Sequence, residues 1–450
     1  MNKAYLGIDL GTSSVKAVLM YSDKTTQKAK RNYSEISPSG WFSALCDALG
    51  DLDLKDVCAV GLSSQVGTYI IDEKDVLSWN DGIGKEETEK IKKKYPESFF
   101  ISEISMPHPD IISYPIPRLM YIKEKYGYNR RVMQPKDFIC QKLTGILATD
   151  KYSWRGLANI NTGEYSSFFL KELGNPILPE IKGHNEIAGY ITKEASLKTG
   201  LLENIPVYTG LNDFFAGIYG MGVKKPGEVF DITGTSEHLG IICDALKHGT
   251  KMVSGPFIEN FVHYGVTASS GVSLDFAISE FGLFDIELTE NFIKSSPLFL
   301  PYLNGERAPI FDAFSSGVFF GMDKNTKKKH LAYSVLEGVA MSIYHIYENL
   351  DAGNIKSMTI SGGASVDKVL NTIKATLFNV PVITLKEKDV SAMGALLCCM
   401  EDCKDFIPEK DGEFLPIPGI RDILIKRFSI YKNLYIKLKD EFKNFKEVQL

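Results

Sequence analysis

Apolar residues alternate with polar ones in several short runs and recur at helical spacing in others, and the two patterns take turns along the chain. Ala4 to Met20 reads AYLGIDL, then the small-residue turn Gly11-Thr12-Ser13-Ser14, then VKAVLM, which predicts a β-hairpin. Gly227 to Cys243 repeats this grammar as EVFDIT, Gly234-Thr235-Ser236 and HLGIIC. An internal match half a chain apart points to a duplicated architecture. VCAVGLSSQ (57–65) and IPVYTGLND (205–213) read as strands that end in polar, glycine-rich turns. Lys85–Tyr95 predicts a solvated helix with Glu86/Lys90 and Glu89/Lys93 pairs. His330–Leu350 carries Leu331, Val335, Val339, Ile343 and Ile346 at core-helix spacing. SMTISGGAS predicts a strand running into a Gly-Gly turn, followed by a helix over Val366–Phe378. The terminal KNLYIKLKDEFKNFKEV is an amphipathic helix expected to pack on the second half. Strands alternating with helices indicate α/β domains.

Length then sets the domain count. A chain of 450 residues exceeds the ~250–300 at which single cores stop growing. Two domains are expected, 1–222 and 223–450, joined near Val223-Lys224-Lys225-Pro226. With 44% hydrophobic and 24% charged residues the chain has the composition of a folded protein. Its 51 Lys and Arg against 56 Asp and Glu leave −5 and no basic stripe, which argues against nucleic acid or a membrane surface as partner. Seven scattered cysteines with no CxxC pair argue against a disulfide framework or zinc site and for a reducing, cytoplasmic location. Asp9 and Lys16 interrupt the apolar N-terminus that could pass for a signal peptide. Small molecules are the expected partners, with a homodimer left open.

Phosphate is held by several backbone N–H groups gathered at a turn where the main chain can come close. Gly11-Thr12-Ser13 and Gly234-Thr235-Ser236 suit that use, and equally suit an ordinary hairpin turn. No GxxxxGK[ST] is present, which argues against a P-loop enzyme. Asp9 and Asp213 each stand at the end of an apolar strand, next to a glycine or a polar turn. Each is a cap or a functional carboxylate, able to hold hydrated Mg²⁺ or to accept a proton from an attacking hydroxyl.

A longer pattern narrows these alternatives. Gly317-Val318-Phe319-Phe320-Gly321-Met322, then His330-Leu331, then Ser334-Val335-Leu336-Glu337 resembles the second signature of the FGGY carbohydrate kinases, and the resemblance covers essentially the whole chain. The first signature is degenerate: SYPIPRLMYIKEK (113–125) has Arg118, Tyr121 and Lys125 at departing positions. The resemblance implies two actin-like, ribonuclease H-like α/β domains with an interdomain cleft, and ATP-dependent phosphorylation of a small sugar, such as a pentulose in xylulokinase-like members, or of a polyol. It implies Asp213 as general base, and Gly11, Thr12, Ser13, Gly234, Thr235 and Ser236 around phosphate. Gly362, Gly363, Ala364 and Gly394 fall in the adenosine motifs, and Asp9 falls where Mg²⁺ is held through water. Glu306 and Arg307, in a segment matching GER-x-P, are expected to form a structural pair. A non-catalytic sensor, a kinase for a non-sugar polyhydroxy compound and an actin-like or chaperone-like ATPase are the other classes carried forward.

Acceptor recognition is expected from Gln65, Trp79, Asn80, Asp81, Asn212 and Phe214. Here the chain departs from the family. Val66 and Gly67 replace Met-His, Ile83 replaces an arginine, and Phe214 stands where an amide is common. Sites that hydrogen-bond a hydroxyl discriminate far more sharply than apolar walls, so these departures are expected to change or relax selectivity and to make D-xylulose a poor acceptor.

Overall fold

The computed structural model describes residues 3–106, 108, 113–247, 251–400, 403 and 406–449. They divide into two units, Met1–Gly222 with Asp389–Ile407 and Val223–Lys388 with Pro408–Leu450. The boundary drawn from sequence therefore misses a crossing: Asp389–Ile407 belongs with the first unit, because its helix Val390–Cys398 is apolar all round and packs there.

The sheet of the first unit follows from its alternating segments. Its strand order is Ile187–Tyr190, Pro206–Asn212, Val57–Ser64, Ala4–Leu10, Ser14–Tyr21 and Thr26–Asn32. Ala4–Leu10 pairs antiparallel with Ser14–Tyr21 and parallel with Val57–Ser64, which pairs parallel with Pro206–Asn212. The second unit places its seven strands as Val253–Phe257, Asn260–Val266, Glu237–Cys243, Val229–Thr233, Met358–Gly362, Val382–Leu385 and Lys410–Phe414. Val229–Thr233 again pairs antiparallel with the next strand and parallel with Met358–Gly362, which pairs parallel with Val382–Leu385. One hairpin topology thus serves twice, as the repeated G-T-S grammar predicts.

Helices follow the expected periods with local shifts. Gly363–Val366 is a 3₁₀ turn, so the next helix begins at Lys368, where Asp367 caps it by accepting from Leu370 N at 2.8 Å. The C-terminal helix starts at Arg421 and buries Leu424, Phe428 and Tyr431 in the core of the second unit. Along Lys85–Lys94, Lys90 turns to Glu124 at 3.3 Å and to Glu87 at 4.0 Å. This places its charge on the neighbouring helix Pro115–Tyr126 rather than on Glu86.

Glycines let the helix Val390–Cys398 lie directly on the first sheet. A Cβ at Gly7 would sit 2.0 Å from Ala392 O, and one at Gly61 would sit 1.8 Å from Ala395 O. On the helix itself, a Cβ at Gly394 would fall 1.8 Å from Ala216 O, in the helix Asp213–Gly220. Since a close-packed core cannot yield that distance without backbone movement, Gly61→Ala is expected to cost roughly 3 kcal/mol, the upper end for overpacking. Urea denaturation followed by fluorescence checks this as a lowered midpoint.

Candidate active site

Parallel register gathers the polar strand ends of the first unit. Asp9 lies opposite Ser63, Ser63 opposite Leu211, and Ser64 opposite Asn212. Ligands of open α/β sheets bind at such carboxyl ends. Gly210, at φ +69°, sits in a register shift between Tyr208 and Leu211, a bulge that re-aims the strand carrying Asn212 and Asp213.

The first turn is tightly closed. Gly11 N donates to Ser14 O at 2.9 Å and Tyr33 OH donates to Gly11 O at 3.2 Å. Thr12 and Ser13 are left exposed at the tip, and Thr12 Oγ1 donates to Gln65 Oε1 at 3.1 Å. Gln65, expected at the acceptor, therefore stands beside the Gly11-Thr12-Ser13 turn.

Asp9 is buried and accepts from Ser63 Oγ at 2.9 Å. Burial raises its pKa, the Ser63 hydrogen bond and Lys16 oppose the rise, and Asp389 adds to it. Lys16, its partner in the hairpin register, forms an ion pair with Asp389 at 3.0 Å. Among the described residues no three His, Cys, Asp or Glu side chains gather as a metal cluster. The Asp9 carboxylate is the type of oxygen donor that suits a hard cation keeping most of its water.

Asp213 opens the helix Asp213–Gly220, its Oδ1 accepting from Phe214 N at 2.8 Å and its carbonyl from Ser391 Oγ at 3.0 Å. Burial and the negative charge of Asp9 push its carboxyl up to about 7, against the opposing Phe214 amide and Arg155. A carboxylate poised near neutrality can take and release a proton at working pH. Asn212 caps the same helix, Oδ1 accepting from Phe215 N at 3.0 Å, so at least its side-chain oxygen is spent on the fold. Phe214 stacks edge-on with Phe215 at 5.3 Å.

Trp79, Asn80 and Asp81 lie on a turn. Trp79 is 41% exposed and its backbone N–H donates to Thr68 Oγ1 at 3.2 Å. Asn80 Oδ1 accepts from Ser78 Oγ at 2.8 Å. Asp81 is held by the fully buried Arg118, whose Nη1 donates to its Oδ1 at 2.6 Å while Nη2 donates to Ser78 O at 2.9 Å. Gly67 has φ +82°, and a Cβ there would meet Ser113 Cβ at 2.8 Å, so the absent side chain is also a packing requirement.

In the second unit the turn Gly234-Thr235-Ser236 joins Val229–Thr233 to Glu237–Cys243. Thr233 ties it to the Gly-Gly segment: its Oγ1 donates to Ser361 O at 3.0 Å and accepts from Ala364 N at 2.9 Å. Beneath lies a buried charge triad, Lys374 with Asp231 at 2.7 Å and with Glu237. Burial pulls the Lys374 pKa down, but the two carboxylates outweigh it and leave it raised. Gly362 has φ +98° and meets Thr233 O, whereas Gly363 meets nothing within 4 Å. Gly394 packs within the first unit, where a Cβ would fall 1.8 Å from Ala216 O. Glu306 accepts from Ala268 N at 2.6 Å, Arg307 N at 2.8 Å and Ser342 Oγ at 2.8 Å, so its hydrogen-bonded link to Arg307 is to the backbone.

Sequence reading passed over Arg155. It lies outside any periodic run, yet its guanidinium stands over the rings of Phe215 at 5.6 Å and Tyr114 at 6.0 Å, beside the first turn of the Asp213 helix.

Two sheets of one topology, each with a G-T-S turn in its first hairpin, define a duplicated α/β fold. Residues 4–220 match the N-terminal domain, and 232–401 the C-terminal domain, of the FGGY family of carbohydrate kinases. The chain belongs to that family and is an ATP-dependent carbohydrate kinase. A xylulose kinase of Bacillus subtilis is 26% identical, over 97% of this chain and 98% of that protein. A xylulose kinase of Staphylococcus xylosus is 28% identical, over 87% and 89%. In fold the chain is similar to a gluconate kinase from Lactobacillus acidophilus, with a TM-score of 0.84 at 23% identity over 99% of this chain and 100% of that one.

The raised Asp213 carboxyl has a stability consequence with a definite sign. In the unfolded chain it ionises near 3.8 and in the fold near 7, so ionisation disfavours folding progressively from about pH 4 and fully above about 7. Asp213→Asn is expected to melt with the wild type near pH 4 and to be more stable at pH 8 by ~2 kcal/mol, below the ~4 kcal/mol of the full shift because the side chain keeps solvent contact. Thermal melts across that range check it.

Proposed function

We propose that the chain phosphorylates a hydroxyl of a ketose of the pentulose class, or of a related polyol, with Asp213 as general base. The observation that carries this reading is the carboxyl raised to about 7 at the start of a helix, at the carboxyl end of the parallel strands and within electrostatic reach of Asp9. The names of the two curated relatives support the pentulose class. Asp213 takes the proton of the acceptor hydroxyl as that oxygen bonds to the γ-phosphorus of ATP and the bond to the departing ADP oxygen breaks. Thr12 and Ser13, and Gly234 to Ser236, meet phosphate oxygens with their N–H groups. Asp9 holds Mg²⁺ through water, and that ion supplies charge neutralisation on the phosphates. Gly362, Gly363 and Ala364 lie against the adenosine.

Asp213→Asn is expected to lower kcat by ~10²–10⁴ with ATP affinity nearly unchanged, the usual worth of a positioned base. A folded variant that keeps a third or more of wild-type turnover would remove Asp213 from this role.

Gly363 offers a second test, because a side chain there meets nothing in the protein. Gly363→Ala is expected to leave the melting temperature within about 1 °C of wild type, as at unstrained surface sites, and to raise KM for ATP several-fold. An unchanged KM for ATP would place the nucleotide elsewhere.

A further inference from the structure

Two departures at the acceptor site remove hydrogen-bond donors, since Gly67 and Ile83 carry no polar side chain. A guanidinium at another position lies beside the helix that Asp213 opens. Arg155 is presented by a segment that buried polar groups hold rigid. Asp150 accepts from Tyr152 N at 2.8 Å and Ser153 N at 3.1 Å, and pairs with the buried Lys136. Ser153 O accepts from Gln134 Nε2 at 2.6 Å, and Trp154 Nε1 donates to Asp137 at 3.0 Å. Asp150, Lys136, Gln134 and Asp137 are all at most 1% exposed. The residue that follows this framework is fixed in place, and the rings of Phe215 and Tyr114 flank its guanidinium. Phe215 is itself buried, two residues beyond Asp213 in the same helical turn, and packs on Tyr152 at 5.0 Å. Arg155 therefore stands beside the first turn of the helix that Asp213 opens and is partly accessible.

We propose, on the reading of Asp213 as the base, that Arg155 is a specificity-determining residue that binds an sp² oxygen of the acceptor, either the carbonyl of a ketose or the carboxylate of a sugar acid. A guanidinium only donates, in a planar fork, and the two neighbouring rings restrict where that fork can sit. Carbonyl and carboxylate oxygens both accept in the plane of the group that bears them. A polyol hydroxyl has its own proton to place and no such plane, so Arg155 favours acceptors that carry an sp² oxygen over polyols of the same length.

Matched sets test this: D-xylulose, D-xylonate and xylitol, and D-fructose, D-gluconate and D-glucitol. Binding to the full chain is measured by calorimetry without ATP, so that it is read independently of phosphoryl transfer. The wild type is expected to bind the ketose or the acid of one set about 10- to 100-fold more tightly than its polyol, the worth of one charged hydrogen bond. Arg155→Met is expected to bring that ratio within about threefold, with polyol binding little changed. Arg155→Lys, which keeps the charge without the fork, is expected to recover part of the preference and serves as the test if the methionine variant does not fold. The distinction between ketose and acid in the wild type says which sp² oxygen is read. A wild type that binds no member of either set, or binds the polyol as tightly, overturns the proposal. So does an unchanged ratio in both variants, or a loss common to all three compounds. The kinase reading is tested apart from this, by acceptor-dependent ADP release in the wild type and its loss in Asp213→Asn.

Discussion

Main-chain contact between the helix Val390–Cys398 and the first sheet is the constraint on which the catalytic arrangement depends. Gly7 and Gly61 are on adjacent parallel strands, so the helix can settle onto both at once. Gly220 and Gly394 allow the same intimacy with the helix that Asp213 begins, a Cβ at Gly220 falling 2.0 Å from Val390 O. Once seated, the segment contributes directly to the site. Ser391 holds the Asp213 carbonyl and Asp389 engages Lys16, which in turn moderates Asp9. The seat of the Asp213 helix and the charge beside Asp9 thus both depend on one contact, made of backbone atoms and hence unforgiving of any added side chain.

The two G-T-S hairpins show how one topology is put to two electrostatic uses. Each has an aspartate on its first strand, Asp9 and Asp231. Asp231 is fully buried and answered by Lys374, with Glu237 completing the triad, and Ser270 Oγ donates to Glu237. Removing one partner of such a cluster leaves an uncompensated buried charge, so its charges fasten the hairpin to the helix Lys368–Phe378. Asp9 has no buried lysine. Its cation is Lys16, about a third exposed and shared with Asp389, so Asp9 remains available to a ligand charge. The same turn chemistry is anchored in one unit and electrostatically open in the other.

Much of this was legible in the sequence because the signals were local. Period-two runs broken by G-T-S turns give both hairpins, and the strands through Val57–Ser64 and Pro206–Asn212 appear where alternation and turn residues place them. Their register, however, depends on neighbours far along the chain. The allegiance of Asp389–Ile407 escaped because a helix apolar on every side shows no direction to its packing. Asn212 stands at a polar strand end, a place that suits a ligand and a helix cap alike. Only the hydrogen bond to Phe215 N shows the cap. Arg155 carried no local signal at all. Its meaning comes from Tyr114 and Phe215, which are distant in sequence.

Asp9 and Asp213 explain why the surroundings of the site are so heavily determined. Each is desolvated, and the charge of Asp9 adds to the ionisation cost of Asp213, which the fold would avoid if stability alone governed the choice of residues. Strain of this kind persists only where the framework over-determines it. That framework is visible on every side: the bulge at Gly210, the Asn212 cap, the Ser391 bond to the Asp213 carbonyl, and the glycine-seated helix behind them. None of these groups needs to touch the acceptor. They prevent the carboxylates from relaxing into solvent, where a carboxyl near its ordinary pKa would be a weak base for a hydroxyl proton. If Asp213 is the base, substitutions at the supporting positions act on turnover through its placement even where the neighbouring rings and Arg155 are untouched.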